Sequence, residues 1–380
     1  MHGMIESPGK LDESTYFTQP GSMNKSPKSM SSADPDILIL RRPDDFHVHL
    51  RDGDYLATAA QFTANQFARA LIMPNLKPPV TTAAQALEYR QRIIHAVPGC
   101  DFQPLMTLYL TNNTEPQEIV TAKASGYIVG CKLYPAGATT HSDAGVTAIE
   151  NIYPALDAMQ REGLVLQVHG EVTASDVDVF DRETAFIDQV LAPLTARFPA
   201  LRIVFEHITT QRAVDFVRQS RIGVAATITP QHLLHNRNAI FQGGIRPHYY
   251  CLPILKRETD RLALLAAATG DDARFFLGTD SAPHAKHNKE NACGCAGIFS
   301  AHAALELYAE AFESVGKLVK LEAFAAERGA DFYQLPRNSG VITLDKKSWI
   351  PPAVYEFGKD QLVPMRANET MFWKLRGAVG

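Results

Sequence analysis

Between residues 37 and 280, short apolar runs rich in branched side chains recur. Each is followed by a longer amphipathic or alanine-rich stretch, and this alternation limits the fold more than any other feature of the chain. A strand that is apolar on both faces and leads into a helix belongs to a parallel sheet covered by helices. Eight such runs are read, at 37–50 (interrupted over 41–45), 70–74, 102–110, 128–134, 164–169, 202–208, 224–229 and 275–280. Helices are expected over 83–96, 151–162, 184–197, 212–218 and 259–268, the third because Phe186, Ile187, Val190, Leu191 and Leu194 share one face. Eight strand–helix units predict an α/β fold, the (β/α)8 TIM barrel, whose chemistry gathers at the C-terminal strand ends.

That rule can be applied to the residues themselves. The first run ends in His47, Val48 and His49, the second leads into Asn75, and the fourth carries Lys132; the fifth ends in His169, the sixth in His207 and the eighth in Asp280. Core histidines scattered at random would show no such bias toward one rim. His47 and His49 alternate around Val48, so on a strand both imidazoles point to one face, about 7 Å apart along the chain, and can converge on one ion. With His169, His207 and Asp280 at other strand ends, the candidate ligands exceed the four positions of a tetrahedral zinc, so two metals are the economical reading. Two close cations need a bridging anion. Lys132, at the end of an apolar strand, is driven by desolvation toward its neutral amine, which can capture carbon dioxide as a carbamate. Taken alone, a lysine so placed would snorkel to solvent or pair with a carboxylate.

Composition removes several function classes. Lysine and arginine number 37 against 41 acids, a net charge of −4, which lacks the basic surplus of a nucleic-acid binder. No run approaches the roughly 18 apolar residues of a membrane span. Five cysteines form a sparse, odd set, consistent with a reducing cytoplasmic compartment and no disulfide framework. Residues 1–36 are rich in Ser and Pro without an apolar period, as in a disordered N-terminal extension, and the presence of Glu6, Asp12, Glu13 and Asp34 without any Arg disfavours a mitochondrial presequence. Residues 37–380 are expected to form the barrel with a C-terminal addition, including helices at 301–315 and 318–329.

The motifs Asp44-Asp45-Phe46-His47-Val48-His49-Leu50-Arg51, Met73-Pro74-Asn75, Gly130-Cys131-Lys132-Leu133-Tyr134-Pro135, Val168-His169-Gly170-Glu171, Phe205-Glu206-His207-Ile208 and Gly278-Thr279-Asp280-Ser281-Ala282-Pro283-His284 occur in this order. Together they resemble the dihydroorotases of the amidohydrolase superfamily, in their shorter bacterial and fungal type. The resemblance implies two Zn2+ per chain. His47, His49 and Asp280 would hold the more buried ion and His169 and His207 the more exposed one. Lys132, modified to N6-carboxylysine, would bridge both together with a hydroxide. It implies that Asp280 is the catalytic proton carrier, and that N-carbamoyl-L-aspartate and L-dihydroorotate are interconverted. The substrate carboxylate needs a cationic fork, for which Arg51 is the candidate, with Asn75 and His284 as further donors. By resemblance, Thr139 and Thr140 of a small-residue loop at 135–145 would reach the bound substrate, and the Leu252 and Ala296 backbones would contact its ring. A homodimer is implied on the same ground. A hydantoinase or dihydropyrimidinase shares barrel and metals but leaves the Arg51 fork idle; a non-catalytic scaffold would have dropped ligands that are all present here.

Overall fold

Proline and buried charge decide where the first strands lie. The computed structural model describes residues 36–377, so the extension expected at 1–36 falls outside the described residues except for Asp36. The run at 37–50 forms two strands in two sheets: β1 (Ile37–Arg41) and β2 (Asp44–Val48), separated only by Arg42 and Pro43. The break is shorter than expected because Asp44 and Asp45 are buried strand residues with partners. Arg69 donates to Asp44 through Nε at 2.9 Å and Nη2 at 2.6 Å, and Asp45 accepts from Thr279 N at 2.9 Å and Thr279 Oγ1 at 2.5 Å.

The remaining runs form β3 (Arg69–Ile72), β4 (Gln103–Tyr109), β5 (Ile128–Leu133), β6 (Val165–Val168), β7 (Ile203–Phe205), β8 (Val224–Ile228) and β9 (Phe275–Leu277). β2 to β9 make an eight-stranded sheet in chain order, every pair parallel. A parallel bridge between Val48 and Ser281 joins β2 to the segment that follows β9, where His49 N donates to Ser281 O at 3.0 Å and Asp280 N to His47 O at 2.9 Å. This is the (β/α)8 barrel expected from the alternation.

Period-two alternation sorts its side chains. Ala70, Ile72, Leu166, Val168, Ile203, Phe205, Ala226 and Leu277 pack outward into the large core shared with the helices. Phe46, Leu71, Val165, Val204, Ala225 and Phe276 form a second cluster, closed from below by Ala330 and Tyr333. Above this apolar floor, the inward set turns polar. A register shift between Asp45 and Val48 lets both Phe46 and His47 join it.

The helix at Ala83–Ala96 has its expected bounds and starts with a capping box from Thr82 and Gln85. Helices Leu56–Gln66 and Pro116–Ala124 form as well; half of the buried residues of the former are alanine, which carries little periodic signal. The helix expected over 184–197 is Arg182–Phe186 and Ala192–Arg197 joined by a π turn at Ile187–Leu191, ahead of Pro193, which cannot donate a backbone hydrogen bond. Towards the C-terminus β10 (Val341–Asp345), β11 (Tyr355–Phe357), β12 (Asp360–Leu362) and β13 (Lys374–Leu375) follow. β10 lies between β1 and β13 in an antiparallel sheet, while β11 and β12 pair with each other.

Candidate metal centre and active site

The ends of β2, β5, β6, β7 and β9 bring the candidate ligands to one rim. The Nε2 atoms of His47 and His49 lie 3.3 Å apart, and each is 3.2 Å from Asp280 Oδ1. The His207 ring centroid is 5.0 Å from that of His47 and 4.9 Å from that of His169. Lys132, fully buried on β5, is ion-paired through Nζ with Glu206 Oε2, and Glu206 Oε1 lies 3.0 Å from His47 Nδ1. His207 and Asp280 have φ of +43° and +46°, left-handed conformations that cost on the order of 1–3 kcal/mol each in a non-glycine residue. They are held by hydrogen bonds from His207 N to Thr227 Oγ1 (2.8 Å) and from Asp280 N to His47 O.

Metal ligation takes neutral imidazole and ionised carboxylate. His47 runs against this, since burial would lower its pKa but Glu206 and Asp280 outweigh burial and raise it, while its neighbours suit ligation. Burial pushes His49 down to about 4. Burial, reinforced by the Lys132 charge, holds His207 well below the imidazole range. Burial alone would raise Asp280, but His47, His49 and His207 outweigh it and keep the carboxylate ionised. Burial lowers the Lys132 amine, against the pull of Glu206, the direction a carbamate-forming lysine requires.

The donor set also fits. His47 Nδ1, Glu206 Oε1 and His207 Nδ1 are buried without an aligned hydrogen bond. Two groups, His47 with His49 and Asp280, and His47 with Glu206 and His207, each have potential ligand atoms within 4.8 Å of one another. His49 Nδ1 bonds Asn75 Oδ1 at 2.8 Å, and His169 Nε2 bonds Glu171 Oε2 at 2.9 Å. Such bonds to the far ring nitrogen fix which nitrogen faces the centre.

Arg51 lies beyond the strand: β2 stops at Val48 and Arg51 occupies a left-handed turn at φ +61°, its carbonyl accepting from Tyr89 OH at 2.5 Å. Its guanidinium still reaches the rim, with Nε donating to Pro283 O at 2.8 Å and Nη2 lying 2.9 Å from His284 Nε2. Asn75 is engaged at both ends, since its Nδ2 donates to Thr140 O at 3.1 Å while its oxygen holds His49. Thr140 Oγ1 in turn donates to Ala296 O at 3.4 Å, so the loop at 135–145 lies across the rim.

Beneath this loop is a chamber of about 20 Å³ lined by His47, His49, Arg51, Asn75, Thr139, Thr140, His169, His207, Leu252, Asp280 and Ala296, together with Tyr134, Ala282 and Gly297. Of the expected site residues, Lys132 and His284 are outside that lining: Lys132 lies against Glu206, and His284 stands behind Arg51, on a cavity of about 430 Å³ that also reaches Asn75, Lys77 and His141.

Residues 39–351 match the family model described as the Amidohydrolase family. Across 345 residues the chain is 65% identical to the dihydroorotase of Delftia acidovorans, covering 90% of this chain and 99% of that relative. The chain belongs to the dihydroorotases of the amidohydrolase family. Among solved dihydroorotases, that of Campylobacter jejuni superposes with a TM-score of 0.83 at 37% identity, over 90% of this chain and 98% of that one. The Saccharomyces cerevisiae dihydroorotase, solved with 5-fluoroorotic acid, gives 0.83 at 34% identity over the same shares. As a dihydroorotase the chain is a hydrolase.

Three side chains that this dihydroorotase brings to the centre carried no assigned role in the sequence reading: Glu206, Glu171 and Tyr134. The available signal was a charged or hydroxyl-bearing residue inside an otherwise apolar strand end, as in Phe205-Glu206-His207-Ile208.

Proposed function

We propose that this dihydroorotase reversibly interconverts N-carbamoyl-L-aspartate and L-dihydroorotate, the ring-closing step of pyrimidine synthesis, at a centre of two zinc ions. The observation that carries the reading is the convergence of His47, His49 and Asp280 within 3.3 Å of one another, beside the buried Lys132 and below the Arg51 guanidinium. His47, His49 and Asp280 would hold one ion, His169 and His207 the other, with carboxylated Lys132 between them. When bound, the ions would lower the pKa of a water and polarise the amide carbonyl. The protein's own groups do the rest. Arg51, backed by His284 and Asn75, takes the substrate carboxylate; Thr139 and Thr140 close over the ring, and the Leu252 and Ala296 backbones face it. Asp280, ionised despite burial, accepts a proton at its carboxylate and delivers it to the leaving amide nitrogen.

The same reading makes the substrate the working partner and leaves no part for nucleic acid. None of the described helices is long and apolar enough to cross a membrane, and all five cysteines are unpaired, which supports a cytoplasmic enzyme. A homodimer is part of the proposal and is checked by sedimentation. The decisive experiment measures zinc per chain beside turnover of dihydroorotate and of an uncharged dihydropyrimidine. Two zincs and a strong preference for the carboxylate-bearing ring are expected; a preference for the uncharged ring would move the chain to the hydantoinase type of chemistry.

A further inference from the structure

Most polar side chains around the chamber have protein partners. Arg51 is held by Pro283 O and His284, Asn75 by His49 and Thr140, and Asp280 by the two histidines. Tyr134 is different. It lines the chamber, is 1% exposed, and its hydroxyl has no hydrogen-bond partner. The ring cannot swing away to find one. It stacks on Tyr109 with centroids 5.1 Å apart, Lys132 Nζ stands 4.9 Å from its centroid, and its carbonyl accepts from Val146 N at 2.8 Å. A buried hydroxyl without a partner is costly, and native proteins retain one where another species completes the bond. The chamber that Tyr134 lines is lined also by Asp280, on the ligand side, and by Arg51, on the carboxylate side. On the proposed function, a substrate whose carboxylate lies on Arg51 and whose amide faces Asp280 would bring its reacting carbonyl oxygen into the chamber that Tyr134 lines.

We propose that Tyr134 is a further catalytic residue, whose hydroxyl donates a hydrogen bond to the carbonyl oxygen of the amide that is made or broken. The inference rests on the proposed function. The proton stays on the phenol; the bond strengthens as charge grows on the oxygen, and so acts on the transition state more than on the bound substrate.

Tyr134→Phe deletes the oxygen and keeps the ring. In the zinc-loaded enzyme, kcat for dihydroorotate should fall about 10²-fold or more, the usual loss on removing one such donor. KM, zinc per chain, and affinity for orotate, a planar ring that forms no tetrahedral centre, should be unchanged. The metal-free variant should melt no lower than the parent, because deleting an unpaired buried hydroxyl removes a cost and breaks no bond. An unchanged kcat overturns the assignment. So does a loss of activity in step with zinc, which would put the hydroxyl on the metal bridge, or a clear drop in melting temperature, which would make it a structural bond. Failure of the parent enzyme on dihydroorotate would sink the broader reading instead, and the Tyr134→Phe comparison would then be made on whichever cyclic amide the parent opens.

Discussion

Lys132 is wholly buried, and Glu206 is the only carboxylate paired with its amine among the described residues. Replacing it by alanine removes the proposed bridge and leaves Glu206 an uncompensated buried charge. Lys132→Ala should reduce bound zinc toward zero by atomic absorption and activity to background, with partial recovery when short carboxylic acids are supplied. Arg51→Met should instead keep zinc and lower kcat/KM for carbamoyl aspartate by roughly 10- to 100-fold, as expected for losing a charged hydrogen bond of about 1.5–3 kcal/mol. Lys132 was legible from sequence only beside the other candidate ligands, and Arg51 only through the family motif, because a lone cation in either place would snorkel to solvent or pair with a carboxylate. Glu206 was not legible, because its partner lies two strands away across β6 and only the closed sheet brings the two together. The second hydrogen bond of Asn75 was equally hidden, since it depends on where the loop at 135–145 comes to rest.

That loop is tied within itself by several bonds and to its surroundings by those of Thr140 and His141, of which Thr140 Oγ1 to Ala296 O reaches the far side of the chamber. Thr140→Ala should lower turnover about five- to tenfold, equivalent to one hydrogen bond of about 1 kcal/mol, with zinc stoichiometry intact; full activity would reduce the loop to packing. A second element carries a pH dependence. Glu306, buried on the helix Ala304–Glu313, accepts from Leu375 N of β13 at 3.0 Å and from Gln66 Nε2 at 3.2 Å. Burial pushes its carboxyl from an ordinary 4.5 up to about 7. The folded chain therefore holds this proton where the unfolded chain has released it, so the contribution of Glu306 to stability is most favourable below about 4.5 and declines as pH rises to about 7. The decline should be on the order of 3 kcal/mol. Urea titrations of metal-free protein across this range should show Glu306→Gln losing less stability than the parent. Among elements, the parallel strands were readable because each is apolar on both faces. The split of 37–50 was not, because a buried Asp44 looks like a loop residue until Arg69 is placed beside it.

At the scale of the molecule, eight strand–helix units were readable by counting, and the barrel followed. The pairing of β1 with β10, at the other end of the chain, had no local signature to read. Because the candidate ligands come from five barrel segments, bound zinc would link them. Chelation should therefore lower the melting temperature, by the equivalent of about 2.7 kcal/mol per ion at free zinc a hundredfold above its Kd; an unchanged melting curve after confirmed zinc removal would argue against ions bound between strands.

The junction of β2 with the segment after β9 has a further consequence. The contacts there join residues as far as 234 positions apart, Asp45 with Thr279 among them, and Asp280 sits in the same seam as His47 and His49. Such distant pairings form late and slowly. On a ribosome, the two histidines emerge long before their carboxylate partner is made, and nothing shorter than the finished ring presents a complete coordination set. On the proposed reading, a metal ion would therefore be taken up by the assembled barrel rather than serve as the seed around which the polypeptide condenses.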